Sequence, residues 1–176
     1  LTFGSRGTFF ARLLDVDLKN AAETIGAAAR HKGTSIVECL VNCVIFNHGA
    51  HGWIAEKETR PDRIIFLEHG KPMIYGVNRD KGLVLDGFNL KAVTIGENGI
   101  TEKDLLVHDA HCEDITLQYK LAMMEGPDMP IAMGVIRSVE TETYNDAMDS
   151  QIAEVQEKSK IKCFDDLVNS LEQWKI

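Results

Sequence analysis

The first forty residues combine two apolar runs with a helical pattern between them. Residues 8–14 (TFFARLL) are rich in aromatic and branched side chains, which predicts a strand. Residues 34–40 (TSIVECL) predict a second strand, and its nearly continuous apolar run is typical of a parallel strand covered on both faces. Between these runs apolar residues recur at helical spacing and predict a helix with one apolar stripe, formed by Leu18, Ala22, Ile25 and Ala29.

The predicted helix has recognisable signals at both ends. Asp15 or Asp17 can cap its start, and Gly33 suits the position just past its end. Strand, helix and strand together predict a β-α-β unit with a right-handed crossover, and hence an α/β fold. Because one such unit cannot bury both faces of its sheet, further strands must come from elsewhere.

The pattern changes after residue 46. Residues 47–63 are polar and irregular, and Pro61 is expected to break any regular element there. Residues 64–67 and 73–75 flank the sequence EHGKP and predict a hairpin. The remaining predicted elements are strands at 83–85, 92–95, 105–108 and 131–139, a capped turn at 101–104, and helices at 115–124, 144–158 and 164–174.

Composition narrows the function classes. With 44% hydrophobic and 26% charged residues, the 176-residue chain is typical of a soluble globular protein. A formal net charge of -8, without interleaved basic and aromatic residues, argues against a nucleic-acid surface. No apolar run approaches the roughly 20 residues that span a bilayer, and no signal peptide is recognisable. We therefore predict a cytoplasmic protein without a membrane or nucleic-acid partner.

The cysteine content and the first residue indicate the redox state of the thiols and the origin of the chain. Four cysteines in a chain of this length do not resemble a disulfide framework, so we expect reduced thiols, with metal or cluster ligation open to some of them. The sequence starts at Leu1 without an initiator methionine and enters an α/β pattern within a few residues. We expect it to be a fragment or a processed chain.

Candidate chemistry is densest in residues 36–52 (IVECLVNCVIFNHGAHG). Here a predicted strand ends among Cys39, Cys43, His48 and His51, and the carboxyl ends of strands in open α/β sheets face the crevice where ligands bind. The two cysteines lack the CxxC spacing of zinc sites and redox pairs, and buried cysteines often serve only for packing. The histidines can bind a metal or belong to a mobile loop. A thiol enzyme that uses either cysteine with a histidine is a further alternative, without a recognisable local motif.

Other constellations favour structural roles. Residues 86–89 (DGFN) lack the preceding glycine and the downstream asparagine pair of thiamine diphosphate enzymes, which favours a turn between strands. Four possible metal ligands lie within five positions: His108, Asp109, His111 and Cys112. They could form a zinc or iron site, but a solvated loop with a helix cap at Asp114 is the simpler interpretation. Glu68, His69 and Lys71 could act in acid-base catalysis, but no recognisable nucleophile accompanies them. Cys163 is predicted to serve for packing.

Five segments resemble a known family in order and approximate spacing. GTFFAR, AAARHKGTSIVE, NCVIFNHGA, LEHGKPMIYG and MPIAMGVIRSVETETYND are similar to the β subunit of 2-oxoacid:ferredoxin oxidoreductases, in the branch acting on 2-oxoglutarate and related oxoacids. The resemblance covers nearly the whole chain and implies the C-terminal portion of that subunit. It implies that residues 1–46 end a doubly wound domain that binds thiamine diphosphate, and that residues 47–176 form an irregular α+β extension.

The resemblance also implies cofactors and partners. Such enzymes decarboxylate a 2-oxoacid on thiamine diphosphate with Mg²⁺, form an acyl-CoA, and pass electrons through iron-sulfur clusters to ferredoxin. Cys43, in the NCVIFN segment, resembles the fourth ligand of a [4Fe-4S] cluster, whereas Cys39 has no such counterpart. The diphosphate-binding Gly-Asp-Gly motif and the other three cluster cysteines are absent from this sequence. We therefore expect no cofactor and no activity for this chain alone, and an α subunit as its partner.

A rival hypothesis from another class is a non-catalytic module. In that hypothesis the irregular middle region and the terminal helices form a surface that contacts other subunits.

Overall fold

The computed structural model describes residues 1–170. The elements follow in chain order: β1 (Phe9–Leu14), α1 (Leu18–Arg30), β2 (Ser35–Leu40), α2 (Gly52–Ala55), α3 (Arg60–Arg63), β3 (Ile64–Leu67), β4 (Ile74–Tyr75), β5 (Lys81–Asp86), β6 (Asn89–Thr94), α4 (Thr116–Ala122), β7 (Ile131–Ser138), α5 (Tyr144–Lys158) and α6 (Phe164–Asn169). By contacts the chain divides into a unit of Leu1–Thr141 and a second unit that begins at Glu142.

The larger sheet of the first unit contains four strands in the order β2-β1-β7-β3. β1 and β2 pair in parallel, as the predicted β-α-β unit requires. β7 runs antiparallel to β1 and parallel to β3. The sheet is thus mixed, and it combines strands from before and after residue 46. This confirms an α/β fold, while the predicted domain boundary and the thiamine-binding identity of the first part stay predictions.

A second sheet has the order β4-β5-β6. β5 and β6 form a hairpin in which Asp86 pairs with Asn89, which confirms the turn predicted for residues 86–89. The hairpin predicted between residues 64–67 and 73–75 is wrong, because β3 pairs with β7 and β4 pairs with β5. Residues 105–108 do not form a regular strand either. They contribute an isolated bridge between Val107 and Pro72.

The buried face of α1 differs from the predicted stripe. Ala21 and Thr24 are buried, whereas Leu18 and Ile25 are largely exposed. The small Ala21 side chain and the Thr24 hydroxyl, which donates to the Asn20 carbonyl, allow the helix to lie close to the sheet. The larger apolar residues therefore face away from it, and the prediction for this face is wrong.

Two further expectations need correction. β2 is an edge strand with half-exposed faces, so the predicted cover on both faces is not present among the described residues. Pro61 does not prevent regular structure. It lies in the first turn of the short helix α3, where a backbone N–H would have no acceptor within the helix, so proline costs no hydrogen bond there.

The main apolar core lies between the larger sheet, α4 and the three-stranded sheet. Its buried members include Phe10, Ile65, Leu83, Leu121 and Ile136. A smaller cluster of Leu14, Ile54 and Met133 lies on the opposite face, because successive residues of β7 point to opposite sides of the sheet.

The second unit contains α5 and α6. α5 has the predicted bounds of residues 144–158, and its N-cap is Thr143, whose hydroxyl accepts from the Asp146 N–H. All of its residues are exposed. The prediction of a surface helix is therefore confirmed, whereas no apolar face of the helix is buried among the described residues. α6 covers the first part of the predicted last helix. The rest of that prediction, residues 171–174, lies outside the described residues.

Candidate functional site

Cys43 lies in a tight turn just after β2. The Asn47 N–H donates to the Cys43 carbonyl at 2.9 Å, and the Phe46 N–H points at the Cys43 sulfur at 3.5 Å. The Asn42 side chain closes the same loop by accepting from the Gly49 N–H. This turn holds the thiol against backbone donors and presents it to solvent at the end of the strand.

The backbone around Cys43 favours its ionised form. The N–H groups of Phe46 and Ile45 stabilise a thiolate and lower the pKa of Cys43, with burial acting weakly in the opposite direction. Cys39, four residues earlier, has a raised pKa because of burial and the nearby Asp15 carboxylate. A deprotonated cysteine is the form that ligates metals and clusters, so Cys43 is the better ligand of the two.

The residues that follow Cys43 are strongly exposed. Val44, Ile45 and Phe46 have exposed fractions of 71%, 79% and 90%. His48 is also exposed, and His51 starts α2 without a side-chain cap. In the part of the chain that the structure describes, no histidine nitrogen hydrogen-bonds to Cys43, so the geometry gives the thiol-enzyme alternative no base.

A second polar group lies at the opposite edge of the sheet, near the carboxyl ends of β3 and β7. The rings of His69 and His111 are in contact, with centroids 4.2 Å apart and planes tilted by 57°. An Asp109 carboxylate oxygen lies 3.4 Å from the His69 Nδ1. His69 Nδ1 accepts from the Ala110 N–H at 3.3 Å, and His111 Nδ1–H donates to the Ser138 carbonyl. The two histidines line an open pocket of about 510 Å³.

His108 differs from its neighbours because it is buried. Only 1% of it is exposed, and its Nε2 lies 2.9 Å from the Val135 carbonyl. The prediction of a solvated loop is therefore wrong for His108, since its ring packs into the sheet. The helix cap predicted at Asp114 is one residue early, because the N-cap of α4 is Ile115, although the Asp114 carboxylate accepts from the Thr116 N–H at 2.7 Å.

Sequence reasoning missed a buried cation in this region. Arg137 is 6% exposed and donates to the carbonyls of Gly7 and Cys112 and to the amide oxygen of Gln118. One feature of the sequence could have predicted the burial of Arg137, namely its position in the otherwise apolar run IAMGVIRS. Cys112 contributes its backbone carbonyl to this network.

The remaining candidates are separate from one another. Lys71 pairs with Glu68 at 2.9 Å on the surface. Cys163 is exposed at the start of α6, so its predicted packing role is wrong. Among residues 1–170, no group of three or more His, Cys, Asp or Glu side chains is placed to hold a metal ion. None of the helices within that range is both long and apolar enough to cross a membrane.

Comparison with known proteins identifies an informative relative. The chain is similar to the 2-oxoglutarate oxidoreductase subunit KorB of Mycobacterium tuberculosis strain H37Rv, with 33% identity over 153 residues. The match covers 86% of this chain and 40% of KorB, so the chain spans less than half the length of that relative. No family profile and no solved structure matches the chain.

Proposed function

We propose that this chain, which is related to the β subunits of 2-oxoacid oxidoreductases, supplies the C-terminal part of such a subunit. In this proposal the complete enzyme decarboxylates a 2-oxoacid, joins the acyl group to CoA, and passes the released electron pair to ferredoxin. 2-Oxoglutarate is the first candidate substrate, because KorB is named for it. The enzyme acts in the cytoplasm, and this chain needs an α subunit and the rest of the β subunit for activity.

The observation that carries this proposal is the environment of Cys43. Backbone N–H groups directed at a sulfur stabilise a thiolate, and such hydrogen bonds also tune the potential of iron-sulfur clusters. The turn is exposed, which leaves room for a cluster and for additional chain. Cys43 therefore fits one ligand position of a [4Fe-4S] cluster.

The other ligands have to come from outside this chain. Cys39 lies within β2 with a raised pKa, and among the described residues no group of three or more His, Cys, Asp or Glu side chains is placed to hold a metal ion. A bound cluster would transfer single electrons between the reaction centre and ferredoxin. In this proposal thiamine diphosphate and Mg²⁺ are bound by the rest of the complete subunit. Within the described residues, the aspartate-glycine pair at Asp86 forms a hairpin turn between β5 and β6.

The test uses the complete β subunit that contains this chain, co-expressed with its α subunit. Cys43→Ser should remove the broad visible absorption of the cluster and the 2-oxoglutarate-dependent reduction of ferredoxin. Cys39→Ser is the matched control and should retain both. An unchanged spectrum for the Cys43 variant would exclude the ligand role, and activity of the 176-residue chain alone would exclude the requirement for partners.

A second candidate function is a non-catalytic contact module. The large exposed fractions of Val44, Ile45 and Phe46 favour it, because three consecutive exposed apolar residues are unusual on a surface that meets only water. The two functions are compatible within one subunit. They differ in the Cys43 test, since a contact module predicts no effect of Cys43→Ser on the spectrum.

A further inference from the structure

A pocket of about 510 Å³ lies between α3, the three-stranded sheet and the loop that precedes β7. We call it the Tyr75 pocket, after the one buried residue in its lining. Its volume is in the range of small-molecule sites. None of its lining residues belongs to the Cys43 turn. Its apolar wall is formed by Ala92, Val93, Pro127 and Met129.

Tyr75 brings an unpaired hydroxyl to this pocket. Its ring belongs to the main core, and only 8% of the residue is exposed. The hydroxyl makes no hydrogen bond among residues 1–170. It is nevertheless reachable by water, because His108 Nδ1 is the one inaccessible side-chain atom without a partner in that range. Tyrosine hydroxyls of buried rings usually have a partner, so this group is available to a ligand in the pocket that Tyr75 lines.

The charges around the hydroxyl favour a cationic group beside it. Burial raises the pKa of Tyr75, and the carboxylates of Asp62 and Asp80 raise it further. Both carboxylates flank Gly76, where an added Cβ would lie 2.9 Å from Asp80 Oδ1 and 3.4 Å from Asp62 Oδ1. Lys81 pairs with Asp62 at 2.8 Å, which leaves the charge of Asp80 unbalanced. The hydroxyl oxygen therefore lies in a negative potential, which attracts an ammonium group.

Two further lining residues carry opposite charges. Arg63 in α3 and Asp128 in the loop before β7 make no hydrogen bond or ion pair in the part of the chain that the structure describes. The hydrogen bond from Lys81 chiefly lowers the pKa of Asp62, and the charge of Arg63 adds to this effect. The guanidinium therefore lies near the same carboxylate that acts on Tyr75. A guanidinium is well suited to bind a carboxylate through two parallel hydrogen bonds.

We propose that the Tyr75 pocket binds a free α-amino acid with an apolar side chain, in its zwitterionic form, with L-leucine as the test ligand. The ammonium group donates to the Tyr75 hydroxyl oxygen and pairs with Asp128. The carboxylate pairs with Arg63, and the side chain packs on Val93 and Met129. A zwitterion fits this lining better than a simple anion or cation, because each of its charges meets an unpaired charge of opposite sign.

Calorimetric titration of the 176-residue chain at neutral pH tests the two charged contacts without a variant. L-Leucine should bind at least about tenfold more tightly than isocaproate, which lacks the ammonium group, or isoamylamine, which lacks the carboxylate. Equal affinity for leucine and either analogue would overturn the proposal. No leucine binding at millimolar concentrations would overturn it as well.

The variant Tyr75→Phe tests the hydroxyl, since it keeps the ring that packs in the core. We expect leucine to bind about tenfold more weakly to this variant. Tyr119→Phe is the matched control, because Tyr119 lines a different pocket and its variant should bind leucine like the wild type. Unchanged affinity of the Tyr75 variant, or equal losses in both variants, would exclude a contact between the ligand and the hydroxyl and leave water as its partner.

Discussion

The two cysteines near the end of β2 show how strongly backbone geometry decides the chemistry of a residue. Cys39 is part of the strand, where its pKa is raised by burial and by Asp15. Cys43 lies four residues later in a turn whose N–H groups lower its pKa. The sequence pattern identified both as candidates, and the resemblance to a family selected Cys43. The local geometry supports the same choice for a physical reason.

His108 gives the clearest pH dependence at this scale. Burial lowers its pKa from the ordinary value of 6.5, and the Val135 hydrogen bond opposes this effect only in part. The unfolded state therefore binds a proton at a pH where the folded state does not, so the free energy of unfolding falls as the pH is lowered below about 6.5. The slope for one proton is at most about 1.4 kcal/mol per pH unit.

We expect His108→Gln to flatten this dependence between pH 7.5 and 5.5 in urea unfolding followed by circular dichroism. A glutamine amide can still donate to the Val135 carbonyl but takes up no proton. His48→Gln is the control, since His48 is exposed and its loss should leave the slope unchanged. The same slope in the His108 variant and the wild type would show that other groups cause the acid sensitivity.

At the scale of elements, β7 depends on one glycine where it lies against β3. Gly134 has a φ of +85°, and a Cβ atom there would approach the Leu67 carbonyl oxygen to 2.9 Å. β7 pairs with β3 at this point and shifts register against β1 between Phe10 and Ala11. Both the backbone conformation and the close strand therefore require a residue without a side chain.

We expect Gly134→Ala to lower the free energy of unfolding by about 2 to 4 kcal/mol, from backbone strain together with a steric clash. Gly126→Ala separates the two causes, because Gly126 also has a positive φ, of +107°, but a Cβ atom there would have no neighbouring atom within 4 Å. Thermal and urea unfolding of the two variants give the comparison. Equal losses would mean that the Leu67 contact adds nothing to the strain.

The sequence predicted most elements because their local signals were strong. The strand at 131–139 and the helix at 144–158 have continuous patterns, and the turn at residues 86–89 has an aspartate-glycine pair. Pairing depended on distant chain and was not encoded locally, so β3 was assigned the wrong neighbour. The stripe of Leu18 and Ile25 was a correct helical pattern with the wrong buried face, because a small-residue face approaches the sheet more closely.

The candidate sites were predictable to different degrees. Cys43 could be proposed as a candidate because its residue type and its position after a strand are visible in the sequence, and its ligand role stays a prediction. The burial of His108 and Arg137 was not, since each depends on the carbonyls of a distant strand or loop: Val135 for His108, and Gly7 for Arg137. Polar residues that complete a core through backbone acceptors carry no local signature.

At the scale of the whole molecule, the sheet edge formed by β2 is the central feature. β2 is an edge strand of a sheet in which it pairs only with β1 among the described residues. Its C-terminal end continues into Val44, Ile45 and Phe46, which are all strongly exposed. An open strand edge beside an apolar segment is a surface that proteins normally cover.

Phe46→Asp should therefore affect assembly and leave the fold intact. Because Phe46 is 90% exposed, we expect the unfolding free energy of the 176-residue chain to change by less than about 0.5 kcal/mol. In the complete subunit of the proposed function, where this segment would be a buried contact, the charge should reduce co-purification with the proposed partner subunits at least about tenfold. Phe88→Asp is the matched control, since Phe88 is 84% exposed at the tip of the β5-β6 hairpin. Unchanged assembly of the Phe46 variant would show that the segment meets only solvent.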